Sequence, residues 1–232
     1  MTGTLYIVAT PIGNLGDLTL RALDILKSVD IVLAEDTRVT NKLLMHYDIK
    51  KTTLSYHQQS PENKKLEILQ YLLSGKDAAL VTDAGTPGIS DPGNELVSFL
   101  ISANSEISEA WPALPVKIIP IPGPSSLTAI LSVCGFDVST FLFIGFWPKK
   151  KTRKLFEKIK NLEEPVVFFE SPYRIFKTID LLIKEFGESK QICVARELTK
   201  IHETLYRGSL KEVKEKMLSD TIKGEIVCVL DF

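Results

Sequence analysis

"AALVTDAGTPGISDPGNELVSFLISA" (78–103) runs from a four-residue apolar segment, through a loop, into a helical pattern. The loop, "DAGTPGISDPG" (83–93), holds three glycines, two prolines and two aspartates in eleven positions. Glycine admits backbone conformations and close approaches that a Cβ forbids, while proline narrows the loop's freedom and removes a donor. An apolar strand, a stiffened glycine loop and a helix in that order predict one βα step of a parallel sheet. Ligands of such sheets lie beyond the carboxyl ends of the strands. An ordinary connecting loop is the competing reading, and the rest of the chain decides between them.

Upstream, short apolar runs alternate with helical periodicity. "TLYIVAT" (4–10) reads as a strand, and "DLTLRALDILKSVD" (17–30) as a helix with Asp17 near its start. "IVLAED" (31–36), "TTLSYH" (52–57) and "DAALVTD" (77–83) are further strands. Between them, "TRVTNKLLMHYDI" (37–49) and "SPENKKLEILQYLLSG" (60–75) are helices, the second opened by Ser-Pro-Glu. Downstream, "SEISEAWPALP" (105–115) breaks the rhythm with two prolines and Trp111. "VKIIPIP" (116–122) then resumes a strand, and "GPSSLTAILSVCG" (123–135) a helix. A boundary near 115–122 divides the chain into an N-terminal α/β domain, 1–118, with a parallel sheet, and a C-terminal α/β domain, 119–232. The latter offers five strand candidates, and the short helix between the last two predicts some antiparallel pairing, hence a mixed sheet.

The 232 residues are 44% hydrophobic and 25% charged, the balance of a soluble globular chain. No apolar run reaches the roughly 20 residues that span a bilayer. The N-terminus lacks a basic leader, so a cytoplasmic location is expected. Cys134, Cys193 and Cys228 are odd in number and widely spaced, so they read as reduced thiols, and no metal is expected. A net charge of −1 excludes nucleic-acid binding by bulk charge, so such a partner must meet a local patch. Between Lys149 and Lys160 stand seven cations and one acid, including Lys149, Lys150, Lys151, Arg153 and Lys154. This stretch is either an RNA-binding patch or a solvated helix face.

Three glycine-bearing loops follow strands and open helices: 9–17 ("ATPIGNLGD"), 82–93 and 120–129 ("PIPGPSSLTA"). Free backbone N–H groups at such helix starts face a ligand. None of the loops fits G-x-x-x-x-G-K-[ST] or G-x-G-x-x-G. Asp83 and Asp91 put negative charge where a polyphosphate would lie, which favours a cationic or neutral ligand.

"LYIVATPIGNLGDLTLRALDIL" (5–26), "AEDTR" (34–38), "DAGTPGISDPG", "PGPSSLTAIL" (122–131), "FFESPYRI" (168–175), "ARELTKIHET" (195–204) and "KGEIV" (223–227) together resemble the ribosomal RNA small-subunit methyltransferase I family. The resemblance implies two α/β domains of the tetrapyrrole methylase type, the class III S-adenosylmethionine methyltransferases. It places the cofactor in the inter-domain cleft of a homodimer. It implies 2′-O-methylation of a cytidine ribose in the decoding region of small-subunit ribosomal RNA. It assigns Pro11, Ile12, Gly13, Thr86, Ser125 and Ser126 to S-adenosylmethionine, beside Asp83, whose carboxylate suits the sulfonium or the amine, and Gly85, which lets backbone approach. On the substrate side, charged residues within the motifs are candidates: Arg38 and Arg174 for RNA, and Lys200 with Glu203 and Asp36 for moving the proton. A lysine desolvated among carboxylates serves as a base if its pKa falls. Glu35, Glu170, Arg196, Glu197 and His202 lie in the same motifs.

Two departures from the family pattern stand out. Residues 105–115 read as an insertion, and the chain stops soon after "KGEIV", where many relatives continue into a helical segment. A same-fold methylase of a corrin or porphyrin precursor, and a cofactor-binding ribosome-assembly protein without turnover, are the alternatives.

Overall fold

The computed structural model describes residues 2–110, 115–150 and 152–232, with the backbone alone for 105–110. The chain forms two compact units, Met1–Ser125 and Ser126–Phe232.

In the first unit the strands are β1 (Thr4–Val8), β2 (Ile31–Ala34), β3 (Thr52–Ser55), β4 (Ala78–Val81) and β5 (Lys117–Ile121). They lie in the order β3-β2-β4-β1-β5, and every pairing is parallel. Between them run α1 (Leu20–Ser28), α2 (Thr37–His46), α3 (Glu62–Leu73) and α4 (Asn94–Ala110). β2 and β4 are buried at every position, as sheets covered on both faces require. Their alternate residues feed two cores. Val32, Ala34, Ala79 and Val81 pack with Ala22 and Leu26 of α1 and Leu44 of α2. Leu33, Ala78 and Leu80 pack with Ile68 and Leu72 of α3 and Leu96 and Leu100 of α4.

Three sequence expectations shift here. The first helix begins at Leu20, not near Asp17, because the Thr19 side chain accepts from Ala22 N as its cap, while Leu15–Asp17 forms a separate 3-10 turn. The expected break at 105 is absent as far as Ala110, since α4 continues that far; Trp111 and its neighbours up to 114 lie outside the described residues. The boundary drawn at 118/119 falls inside β5. That strand pairs along its length with β1, so it belongs to the first unit, and the division lies at 125/126.

The second unit opens with α5 (Ser126–Val133) and holds β6 (Leu142–Phe146), β7 (Val166–Glu170), β8 (Gln191–Arg196), β9 (Thr204–Ser209) and β10 (Ile226–Leu230). Its sheet is mixed, in the order β6-β7-β10-β8-β9. β6 and β7 are parallel, whereas β10 runs antiparallel to β7 and β8, and β9 antiparallel to β8. The last two strands therefore do not pair with each other. β10 enters between β7 and β8, as its five buried residues demand of a central strand. One face packs on α6 (Thr152–Leu162), α7 (Ile175–Phe186) and α8 (Leu210–Leu218), and the other on Ile130 of α5 and on Cys134 just after it. All three cysteines are buried free thiols, and burial pushes Cys193 up to about 11. Among the described residues no helix is long and apolar enough to cross a membrane.

Candidate functional site

In the first sheet the chain leaves β1 toward β2 on one side and leaves β4 toward β5 on the other. The adjacent ends of β1 and β4 are thus a topological switch point, where open α/β sheets hold ligands. The loops after these strands meet there. Thr10 N donates to Gly85 C=O at 2.9 Å and Gly85 N to Thr10 C=O at 3.0 Å, a two-way antiparallel bridge. The Thr10 hydroxyl donates to Thr82 C=O at 3.0 Å. The third loop joins through Thr86, whose hydroxyl donates to Pro124 C=O at 3.1 Å. Gly85 has φ +84°, in the left-handed region, so this corner takes glycine for its backbone conformation; a Cβ there would only touch Ile12 Cγ2 at 3.4 Å, an ordinary contact. Thr10, the hinge of the bridge, was missed by sequence reading; its signal was the polar residue ending the apolar run "LYIVA".

Pro11 and Thr86 are half-buried, Ile12 is buried and Gly13 exposed, all in the loops so joined. Ser125 ends the first unit, and Ser126 is the first residue of α5 in the second.

Acids gather at the neighbouring strand ends. Asp83 Oδ1 accepts from Asp36 N at 3.1 Å, and Asp83 N lies 3.4 Å from Glu35 Oε2. Desolvation by burial raises the pKa of both Asp83 and Glu35; the charge of Asp36 adds to the rise of Asp83, and the charges of Asp83 and Asp36 to that of Glu35. Asp36 differs. The Arg38 guanidinium, 2.6 Å away, and Arg38 N hold its carboxyl down at about 2, and it caps α2. Arg38 is thereby engaged with Asp36, although its side chain is 86% exposed. The cluster suits a positively charged group: Arg38 and His57 favour the charged forms of Asp83 and Glu35 respectively, but desolvation outweighs them and both pKa values stay raised, so a further cation would stabilise both carboxylates.

In the second unit the motif "ARELTKIHE" forms a strained turn. Glu197 and Thr199 have φ of 54° and 66°, in the left-handed region. Glu197 Oε1 accepts from Glu225 N at 2.9 Å, and a Cβ on Gly224 would fall 2.1 Å from that oxygen, so glycine in "KGEIV" makes room for this carboxylate. Lys200 Nζ lies 2.9 Å from both Glu197 Oε1 and Glu225 Oε2. Burial pulls its pKa down, but the two carboxylates outweigh burial and leave it above its ordinary value. Of the expected proton-moving residues, Lys200 departs from the reading, since its pKa does not fall. Lys200 is a paired ammonium, Glu203 accepts from Thr199 N at 2.6 Å within its own turn, and Asp36 belongs to the first unit's cluster.

Arg174 is also engaged. Its Nη1 lies 3.3 Å from Oε1 of Glu170, whose side chain is fully buried, and its Nη2 donates to Trp147 C=O at 3.2 Å. Lys149 and Lys150 are exposed after β6; Lys151 lies outside the described residues. Arg153 and Lys154 are exposed on α6, and Arg153 pairs with Glu157 at 3.2 Å. Among the described residues no group of histidine, cysteine and acidic side chains could hold a metal.

Residues 4–214 match the family model of the Tetrapyrrole (Corrin/Porphyrin) Methylases. The chain is 41% identical over 230 residues to the ribosomal RNA small subunit methyltransferase I of Synechocystis sp., covering 98% of this chain and 78% of that protein. It is 42% identical over 229 residues to the protein of that name from Thermotoga maritima, with 98% of each covered. Among solved structures it is similar to the uroporphyrin-III C-methyl transferase from Thermus thermophilus complexed with S-adenyl homocysteine. There the TM-score is 0.64 at 19% identity, over 99% of this chain and 97% of that one. It is also similar to a cobalt precorrin-4 methyltransferase, with a TM-score of 0.66 at 18% identity, over 98% and 94%. The mixed α/β architecture with two sheets is the fold of these neighbours, and with full-length identity near 40% the chain belongs to the ribosomal RNA small subunit methyltransferase I family of the tetrapyrrole methylases.

Proposed function

We propose that this protein is an S-adenosylmethionine-dependent methyltransferase that methylates the ribose 2′-oxygen of a cytidine in small-subunit ribosomal RNA. The observation that carries the cofactor half is the Thr10–Gly85 bridge at the switch point, with the carboxylates of Asp83 and Glu35 beside it. Family kinship carries the substrate half. The cofactor supplies an electrophilic methyl group on a sulfonium cation. Asp83 and Glu35 favour that positive charge, and the glycine corner at Gly85 lets the backbone approach closely. Pro11, Ile12, Gly13 and Thr86 line the loops of the same corner, and Ser125 and Ser126 complete the set at the start of α5.

A ribose hydroxyl is a weak nucleophile, so the chain's task is in-line positioning and removal of a proton. Lys200, held charged by Glu197 and Glu225, acts as a cation facing the anionic substrate and not as the base. Glu203 remains the carboxylate to which the proton passes, directly or through water; Asp36, held down at about 2 by Arg38, serves instead as that arginine's anchor. We further propose that it works as a homodimer in the cytoplasm, which sedimentation and cell fractionation test.

The deciding experiment incubates methyl-labelled cofactor with small subunits that lack the modification. Label is expected on ribose, and a 2′-deoxycytidine at the target abolishes transfer. Label on a base, or acceptance of a corrin precursor in place of the subunit, overturns the substrate assignment. A calorimetric heat without turnover on any subunit leaves a cofactor-binding assembly protein instead.

A further inference from the structure

β6 and β7 are parallel neighbours, so their carboxyl ends lie at one edge of the second sheet. The chain leaving β7 turns at once. Arg174 N donates to Ser171 C=O at 2.9 Å, Tyr173 N donates to Ser171 Oγ at 3.3 Å, and Pro172 stiffens the turn before α7 begins. Arg174 then ties this turn to the chain leaving β6 through Trp147 C=O, while its other side meets the buried Glu170. Glu170 is satisfied besides by Thr178 Oγ1 at 2.5 Å and Ser171 N at 2.7 Å. Trp147 N is fixed on Phe169 C=O at 2.9 Å. On this rigid base stand two aromatic side chains with no share in the core. Tyr173 is 96% exposed and Phe146 65%, the latter set edge-on against Phe169 at 5.4 Å. The exposed Lys149 and Lys150 follow Trp147 by two and three residues.

We propose that this edge is the nucleotide platform for the RNA substrate. Tyr173 stacks on an unstacked base, Phe146 at the end of the neighbouring strand offers a second ring, and Lys149 and Lys150 meet the flanking phosphates. This rests on the ribosomal RNA methyltransferase reading above. Single-stranded nucleic acid is held by this combination, flat aromatic faces beside cations, because every base has a π face and every linkage an anion. A protein partner fits less well. Two aromatic side chains bury at most about 500 Å², short of the roughly 800 Å² per side that a stable interface takes. Arg174 is a positioning residue here: it is engaged by Glu170 and by Trp147 C=O and holds the turn that displays Tyr173.

The test uses the full chain, with unmodified small subunits as substrate and the cofactor's dissociation constant as a control for folding. Tyr173→Ala is expected to raise KM for the subunit about tenfold or more, the loss of one stacked base. Cofactor affinity, melting temperature and sedimentation coefficient stay unchanged, since the side chain is almost wholly exposed. Tyr173→Phe restores KM, because the ring and not the hydroxyl stacks. An unchanged KM in Tyr173→Ala overturns the platform while the methyltransferase reading stands. A lower sedimentation coefficient in that variant also overturns it, in favour of contact with a second copy. If the wild type methylates no subunit yet binds a single-stranded cytidine oligonucleotide in a Tyr173-dependent way, the platform stands and the activity reading falls.

Discussion

The two sheets end in opposite chemistry. Beyond the parallel strands of the first unit stand Glu35, Asp36 and Asp83, with three loops joined by backbone hydrogen bonds that leave the acids at the rim. At and beyond the ends of β6, β7 and β8 of the second unit stand Phe146, Lys149, Lys150 and Tyr173, with Lys200 paired to Glu197 and Glu225. On the function proposed above, one set of strand ends takes a cation and the other takes bases and anions. A net charge of −1 conceals this division, because the local excesses nearly cancel. The means of fixation differ as well. The first unit holds its loops with glycine and threonine, and the second holds its turns with acids buried under cations: Glu170 under Arg174, and Glu197 under Lys200.

If that second contrast is right, the largest effect of any single change here follows the loss of Arg174. Arg174→Met leaves the fully buried Glu170 carboxylate with Thr178 and Ser171 N but without its counter-charge. Breaking a buried pair from one side costs about 3 kcal/mol or more. Chemical denaturation should show that loss, with Arg174→Lys recovering part of it. Unchanged stability with weakened RNA binding would return Arg174 to the role of an RNA contact that its sequence position first suggested.

The first unit is probed by Asp83→Asn. Asp83 and Glu35 bind their protons more tightly in the folded chain than in the unfolded one. Stability therefore falls as pH rises from their ordinary values of 3.8 and 4.5 through the raised folded values. Removing one charge should stabilise the ligand-free protein slightly above that window. It should also weaken S-adenosylmethionine about tenfold, near 1.4 kcal/mol, and its product, which lacks the sulfonium charge, less. Calorimetry with both ligands decides it; equal losses would assign Asp83 to the amine that both share.

Much of this organisation was legible in the sequence, for a physical reason. In "AALV" and "IVLA" every residue is apolar, which two covered faces demand, and the loop "DAGTPGISDPG" announces a carboxyl-end site by its glycines. What escaped depended on pairing across distance. No local pattern shows that β10 enters between β7 and β8, or that β5 pairs with β1 and so carries the boundary past 119. The fate of Lys200 was hidden for the same reason: "RELTK" displays Glu197, but Glu225, 25 residues further on, reaches the ammonium only after the sheet has formed. Tyr173 passed unnoticed because an aromatic in a helical-looking segment reads as core until its exposure is seen.

A smaller effect separates the cations of the second unit from one another. Lys149 and Lys150 follow a strand end, whereas Arg153 is already paired with Glu157 in an exposed i,i+4 contact. Replacing both lysines by Gln should flatten the dependence of log affinity on log salt by roughly 0.7 to 0.9 per lost phosphate contact. Arg153→Gln should leave the slope nearly as it was. The reverse outcome would move the RNA-facing patch from the strand end to α6.

The smallest effect belongs to Lys200, and its sign is the sharpest check on how the second unit uses its charges. The pKa of Lys200 is raised above its ordinary 10.5, so the pair's contribution is fully present below that value and is lost as pH rises through the folded one. Glu197 is opposite in sense. Burial raises it, but Lys200 and the Glu225 backbone lower it further, so its contribution is present above 4.5 and is lost as pH falls through its depressed value. Both limbs lie outside about pH 6 to pH 9, and stability across that range should be flat. Lys200→Met removes the alkaline limb and moves the acid limb upward, because burial of Glu197 is then less opposed. The accompanying loss at neutral pH is about 1 kcal/mol or less, as befits a partly exposed pair. Turnover on small subunits should fall in the variant without change in the shape of its pH profile. If instead a limb between about pH 6 and pH 9 vanishes with the lysine, then Lys200 loses its proton in that range and is the base after all.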